Sequence, residues 1–193
     1  MRVDPETDDP LPAGDFSAWL TDMQAAIRGE RESDVPCDGC TACCKASQFI
    51  HIAPDEGDAL AHIPDALLFP APMLPAGNVL LGYDERGHCP MLVDDRCSIY
   101  DHRPRTCRTY DCRVFPATGV ELGDGSPIAP RARRWRFEYP TSADVEEQRA
   151  VRAAVAYLDE CRDDLPAGSV PTNPPQLAVL AIEISADISE RDE

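Results

Sequence analysis

Cys37-Asp38-Gly39-Cys40-Thr41-Ala42-Cys43-Cys44 puts four thiols into eight residues, and Cys89, Cys97, Cys107 and Cys112 follow downstream. Eight of the nine cysteines therefore lie between positions 37 and 112. A Cys-x2-Cys turn sets two sulfurs on one side of a tight loop, within reach of one ion. Repeating the spacing to Cys43 resembles the ligand run of a bacterial iron–sulfur site as much as a zinc knuckle. Soft thiolates select zinc, cuprous copper or iron–sulfur clusters and argue against calcium or magnesium. All eight are candidate metal ligands.

How the eight divide is left open by the spacing. Adjacent side chains diverge in a regular helix or strand, so Cys43 and Cys44 are expected to serve different centres. Cys107 and Cys112, five residues apart, fall off a common helical face. Two four-cysteine sites fit the count, and so does one such site with further thiols beside it. Cys161 stands apart, on the apolar face of an expected helix, and reads as a small buried hydrophobe.

The chain has 193 residues, 43% of them apolar, enough for a core and for one compact domain with short decorations. Nineteen prolines divide it into short elements. The formal net charge is -17, with 17 arginines and a single lysine, Lys45. Charge of that sign repels polyanions, so no nucleic-acid partner is expected. No apolar run is long enough to span a membrane, so no membrane partner is expected either. The first ten residues do not read as a secretory signal. Reduced thiols and a cytoplasmic location are the expectation.

The fold class expected is α+β: a small, irregular, metal-stapled core of short strands and helices, flanked by N- and C-terminal helices. Residues 1–14 read as a disordered acidic tail. Residues 15–36 hold an amphipathic helix carrying Phe16, Trp19, Leu20, Met23 and Ile27. Residues 37–115 form the cysteine-cluster core. Within it, short strands are expected at 49–52, 79–83 and 89–93, the last two joined across the turn 84–87. A helix is expected at 54–63, a loop at 64–78, a second tight turn at 94–96, and a short helix from Arg105 to Tyr110. Residues 116–165 read as a hairpin and a helix packed on the core. That helix, 142–164, has Thr141 as N-cap with Asp144 three residues on, and an apolar face of Val151, Ala154, Val155, Leu158, Cys161 and Leu165. Residues 166–193 form a Pro-rich linker and a last helix carrying Leu177, Leu180, Ala181, Ile184 and Ile188.

Thiolate sites carry negative charge, and arginines or backbone N–H groups beside them balance it. Lys45, Arg96, Arg103, Arg105, Arg108 and Arg113 crowd the cysteine segment, and Arg103 and Arg108 are the candidates for that role. Surface ion pairs with Asp94, Asp95, Asp101 and Asp111 are the competing reading. Of the histidines, His51 and His62 read as structural, while His88 and His102 are candidates to complete a mixed site. The block Arg131, Arg133, Arg134 and Arg136 around Trp135 reads either as a charged hairpin face or as a surface for an unknown protein partner.

The whole pattern of Cys37-x2-Cys40-x2-Cys43-Cys44, then Cys89-Pro90-Met91-Leu92, then Cys97-Ser98-Ile99-Tyr100-x2-Arg103-Pro104-x2-Cys107-Arg108-x-Tyr110-x-Cys112 resembles the YkgJ-type cysteine-cluster family, the CxxCxxCC zinc- or iron-chelating domain. The resemblance covers about residues 37–115. It implies an iron–sulfur cluster or zinc, in one or two centres, held by the eight cysteines. One branch of the family is similar in its cysteine motif to flagellin lysine N-methylases, which use S-adenosylmethionine. This chain lacks their extra length, and Gly119-x3-Gly123-x-Gly125 is a weak nucleotide-loop signal.

Three functions follow as expectations. The first is a cytoplasmic iron–sulfur protein without an assigned reaction. The second is a zinc-stabilised structural or interaction module. The third is a protein-modifying enzyme of the methylase kind, in which Tyr100, Arg103, Arg108, Tyr110 and Asp111 would face a substrate or cofactor.

Overall fold

The computed structural model describes residues 9–33, 35, 39–166 and 168–189, with side chains to 185. Chain contacts divide it into two compact units, one of residues 36–110 and one of residues 8–35 with 111–193. Both mix helices with short strands in small sheets, so the class is α+β.

The unit of residues 36–110 is built on a three-stranded antiparallel sheet. Strands β1 (Ile50–Ile52) and β2 (Leu68–Pro70) flank β3 (Val79–Leu81), with Leu81 opposite both Ile50 and Leu68. Helix α1 (Gly57–His62) adds Ala59 to a core of Ile52, Ala59, Ile63, Leu81 and Ile99, against which Cys89 and Cys97 pack. Strands β4 (Leu92–Val93) and β5 (Arg96–Cys97) form a hairpin. Its two turn residues, Asp94 and Asp95, have φ of 48° and 58°. Positive φ at both positions gives the mirror-image turn whose twist matches paired strands. Helix α2 (Arg105–Thr109) starts after the fully buried Pro104.

Two sequence expectations are corrected in this unit. Residues 64–78 are not all loop: a 3₁₀ turn, Asp65–Leu67, leads into β2. Leu68 and Phe69 are apolar residues free to pair with β3 despite the prolines around them. The strand at 79 also does not pair across the 84–87 turn. It pairs with β1 and β2, while β4 pairs with β5. The turn itself closes as expected, Gly87 N–H donating to Asp84 C=O at 2.9 Å.

In the other unit, β6 (Leu11–Asp15) pairs in parallel with β7 (Trp135–Glu138), with a register slip between Pro12 and Gly14. Residues 11–14, expected as tail, are therefore strand, and Ala13 within them is buried. Residues 1–8 lie outside the described residues. The expected hairpin at 113–140 is instead two short helices, α3 (Val114–Thr118) and α4 (Ala129–Ala132), followed by β7. Gly119, with φ of 78°, ends α3 in the left-handed conformation, which accounts for the first glycine of the loop motif.

The three longer helices occur where periodicity puts them: α5 (Phe16–Ile27), α6 (Ser142–Glu160) and α7 (Pro174–Ser189). Helix α6 opens with a capping box. The Asp144 carboxylate accepts the Thr141 N–H at 2.9 Å and the Thr141 hydroxyl at 2.6 Å, and its other oxygen accepts the Ser17 N–H at 2.9 Å. Its apolar face, with Ala154 and Leu158, meets Ala181 of α7 and Val170. Cys161 caps α6 at half burial instead of joining that face, and the Ile188 side chain lies outside the described residues.

The aromatic centre of this unit is Phe16, Trp19, Trp135 and Phe137. Phe16 and Phe137 meet edge to face at 5.1 Å, and Trp19 lies 4.9 Å from Phe137. Each of the three that are buried, Phe16, Trp19 and Trp135, contributes about 1.5–3 kcal/mol.

Candidate metal centre

Among the described residues every cysteine is a free thiol. Cys37 lies outside the described residues. Cys40, Cys43, Cys44, Cys89, Cys97 and Cys107 belong to the unit of residues 36–110, and Cys112 belongs to the other.

Cys43 and Cys44 sit in a 3₁₀ turn, Cys43–Lys45. The expectation that adjacent thiols diverge is corrected here, because the two side chains hydrogen-bond to one another. Divergence is a property of regular helices and strands, and a short 3₁₀ turn opening into the positive φ of Ser47 is neither. Directly behind the turn, Cys89 N–H donates to Cys44 C=O at 2.7 Å, and Ser47 N–H donates to Gly87 C=O at 2.9 Å. This two-bond ladder sets Cys89 beside the Cys43–Cys44 pair. Gly87 is required there, since a Cβ at its φ of 78° would collide with Ser47 Oγ.

Cys97 joins through the hairpin, opposite Leu92, and Ser98 N–H fastens that strand to Met91 C=O at 2.9 Å. Cys107 joins from α2, which is anchored on β1 by the Thr106 hydroxyl donating to His51 C=O at 2.7 Å. The buried Glu56 carboxylate ties the same pieces together, accepting the backbone N–H groups of Ala53 and Arg105. Nothing in the sequence marked Glu56. Its role depends on two loops meeting.

The electrostatics report the crowding of thiols. Burial pushes the Cys107 thiol up to about 12, helped by Cys43, Cys89 and Cys97 and opposed by Arg103. The hydrogen bond from Cys44 and then burial push the Cys43 thiol far above its ordinary value. Burial also raises Cys89, with Cys97 and Cys43 adding to the effect. Each thiol makes a charge on its neighbours costlier, and a bound cation removes that conflict.

The two candidate arginines part company. Arg103 sits beside Cys107 electrostatically, with its guanidinium 3.6 Å over the Tyr100 ring. Its Nε–H is buried and meets no hydrogen-bond acceptor among the described residues. The charge of Arg108 is felt at Asp58. Of the other basic residues, Lys45 meets Asp95 at 2.5 Å and Arg105 meets Asp55 at 2.8 Å.

Of the residues named for the enzyme reading, Tyr100 belongs to the unit of residues 36–110 and Asp111 to the other. Asp111 is buried and spoken for, with Arg113 at 2.7 Å, Trp19 Nε1–H at 3.0 Å and the Ser33 hydroxyl at 3.1 Å. Tyr100 is half exposed under Arg103. Trp135, at the centre of the block read either as a charged hairpin face or as a partner surface, is only 2% exposed, and its Nε1–H donates to Cys112 Sγ at 3.1 Å. His51 bonds Asn78, as a structural histidine would. His102 faces Asp58.

The family model described as "CxxCxxCC: Putative zinc- or iron-chelating domain" matches residues 36–126. Residues 36–126 are thus similar to that CxxCxxCC domain. All the thiols gathered above, and Cys112, fall inside it. Metal chelation is thus the property the domain's description attaches to them. No curated protein and no solved structure matches the chain. No helix among the described residues is long and apolar enough to cross a membrane.

Proposed function

We propose that the CxxCxxCC domain holds an iron–sulfur cluster in a cytoplasmic metalloprotein. Such a cluster supplies one-electron redox chemistry when bound. The observation carrying the reading is the buried Arg103 Nε–H, a donor without an acceptor among the described residues, on a guanidinium whose charge acts on the Cys107 thiol. Hydrogen bonds to ligand and inorganic sulfur are how proteins stabilise and tune these clusters, and an otherwise orphaned buried donor costs about 1–3 kcal/mol. The Cys-x2-Cys-x2-Cys spacing and the excess of thiols over the four needed by one tetrahedral ion support the same reading. Cys43, Cys44, Cys89, Cys97 and Cys107 would supply ligands, Arg103 would compensate their charge, and the prolines and short strands would hold water away.

Anaerobic purification tests it. Brown protein with sulfur-to-iron absorption and a paramagnetic signal on reduction is expected, and a colourless protein whose spectrum stays silent on reduction would remove the reading.

Zinc in the same thiols is the second reading. It is favoured by the smallness of the core, five buried side chains with Cys89 and Cys97 packed on them, which a structural ion would staple.

A further inference from the structure

Asp58 and His62 stand four residues apart on α1, so their side chains share one face of the helix. His102, from the 3₁₀ turn Tyr100–His102, comes to the same place from the other side. One donor atom from each of the three lies within 4.8 Å of the other two. His102 Nδ1 is 3.0 Å from Asp58 Oδ2, and His62 Nδ1 is 3.8 Å from Asp58 Oδ1. A tetrahedral zinc ion with bonds of about 2.1 Å separates its ligand atoms by roughly 3.4 Å, between those two values. The two imidazoles lie flat on each other, with centroids 3.5 Å apart and planes 6° apart.

We propose that Asp58, His62 and His102 form a second metal site, independent of the thiols, for a borderline divalent ion of the zinc class. Two imidazoles and one carboxylate are the donor set that such ions prefer over calcium or magnesium. The side chains are 70%, 41% and 40% exposed, so the ion would keep water in its remaining positions, as open zinc sites do. Both Nδ1 atoms already point at Asp58, His62 Nδ1–H donating to the Asp58 backbone C=O at 2.8 Å and His102 Nδ1–H to the carboxylate. Binding moves each of those ring protons to Nε2 and frees Nδ1 for the ion. It also splays the stacked rings, because an ion must lie near the plane of each imidazole it binds.

The test uses the full chain with its thiolate centre filled. Titration with Zn2+ is expected to give one further equivalent per chain. The ring nitrogens of His62 and His102 should together change from the Nδ1-protonated to the Nε2-protonated pattern in nitrogen NMR. Asp58→Asn and His102→Ala should each weaken that equivalent by at least about tenfold, leaving the metal content of the thiolate centre unchanged. Asp58 and His62 are exposed and His102 is half-buried, and the retained thiolate metal serves as the check that the variants are folded. No additional equivalent in the wild type, or an equivalent that both variants keep, would overturn the proposal. So would Zn2+ binding that leaves both rings in their original tautomers.

Discussion

The two units solve the problem of stability by different means. The unit of residues 8–35 and 111–193 buries Phe16, Trp19 and Trp135, packs a 19-residue helix on a 16-residue one, and encloses the buried Arg113–Asp111 ion pair in hydrogen bonds. The unit of residues 36–110 has strands of two or three residues and five small or aliphatic core side chains. Beside that small core stand thiols from a 3₁₀ turn, from the segment before β4, from β5 and from α2. Conventional packing suffices for the first, while the second is organised around what its cysteines bind.

Stripping the metal draws that contrast most sharply. A structural thiolate site contributes on the order of 10 kcal/mol to folding. Chelation should abolish amide-exchange protection in residues 50–107, while α6 and α7 stay protected. Equal loss in both units would erase the distinction. Next in size, Asp111→Ala takes the carboxylate away from the buried Arg113 and should cost about 3–5 kcal/mol in denaturant unfolding of the helical unit. Gly87→Ala acts on the other side of the comparison. It strains a left-handed turn against Ser47, should cost about 1–3 kcal/mol, and should weaken metal retention through the displaced Cys89.

The smallest effect is set by pH. Hydrogen bonds from Thr141 and then Ser17 hold the Asp144 carboxyl well below the usual carboxylate range. A carboxyl depressed in the folded state adds stability above its unfolded value of about 4, and that stability is lost as pH falls through the lower folded value. Asp144→Asn should therefore melt lower than wild type at neutral pH, with the gap closing in acid. A gap that persists unchanged at pH 2 would contradict the assignment.

The sequence made the helical unit's long elements legible because each has its own period: α5, α6 with its capping box, and α7. It also exposed the cysteines and the Asp94–Asp95 turn, whose chemistry is local. Strand β6 was invisible because Pro12 and Gly14 mask it and its partner β7 lies more than a hundred residues away. Helices α3 and α4 are too short to show a period and contain Pro116 and Pro130. The closeness of the Cys43 and Cys44 thiols went against a rule for regular structure, since a 3₁₀ turn follows neither period. Asp58, His62 and His102 could not be joined on paper, because forty positions and four short strands separate the histidines.

The central claim is that the thiols around Cys107 hold an iron–sulfur cluster, and iron and acid-labile sulfide assayed in anaerobically purified protein test it most directly. Wild type and Cys161→Ser should contain both in matching amounts, and Cys107→Ser should lose most of them. Zinc alone in the wild type, or iron and sulfide undiminished in Cys107→Ser, would contradict it.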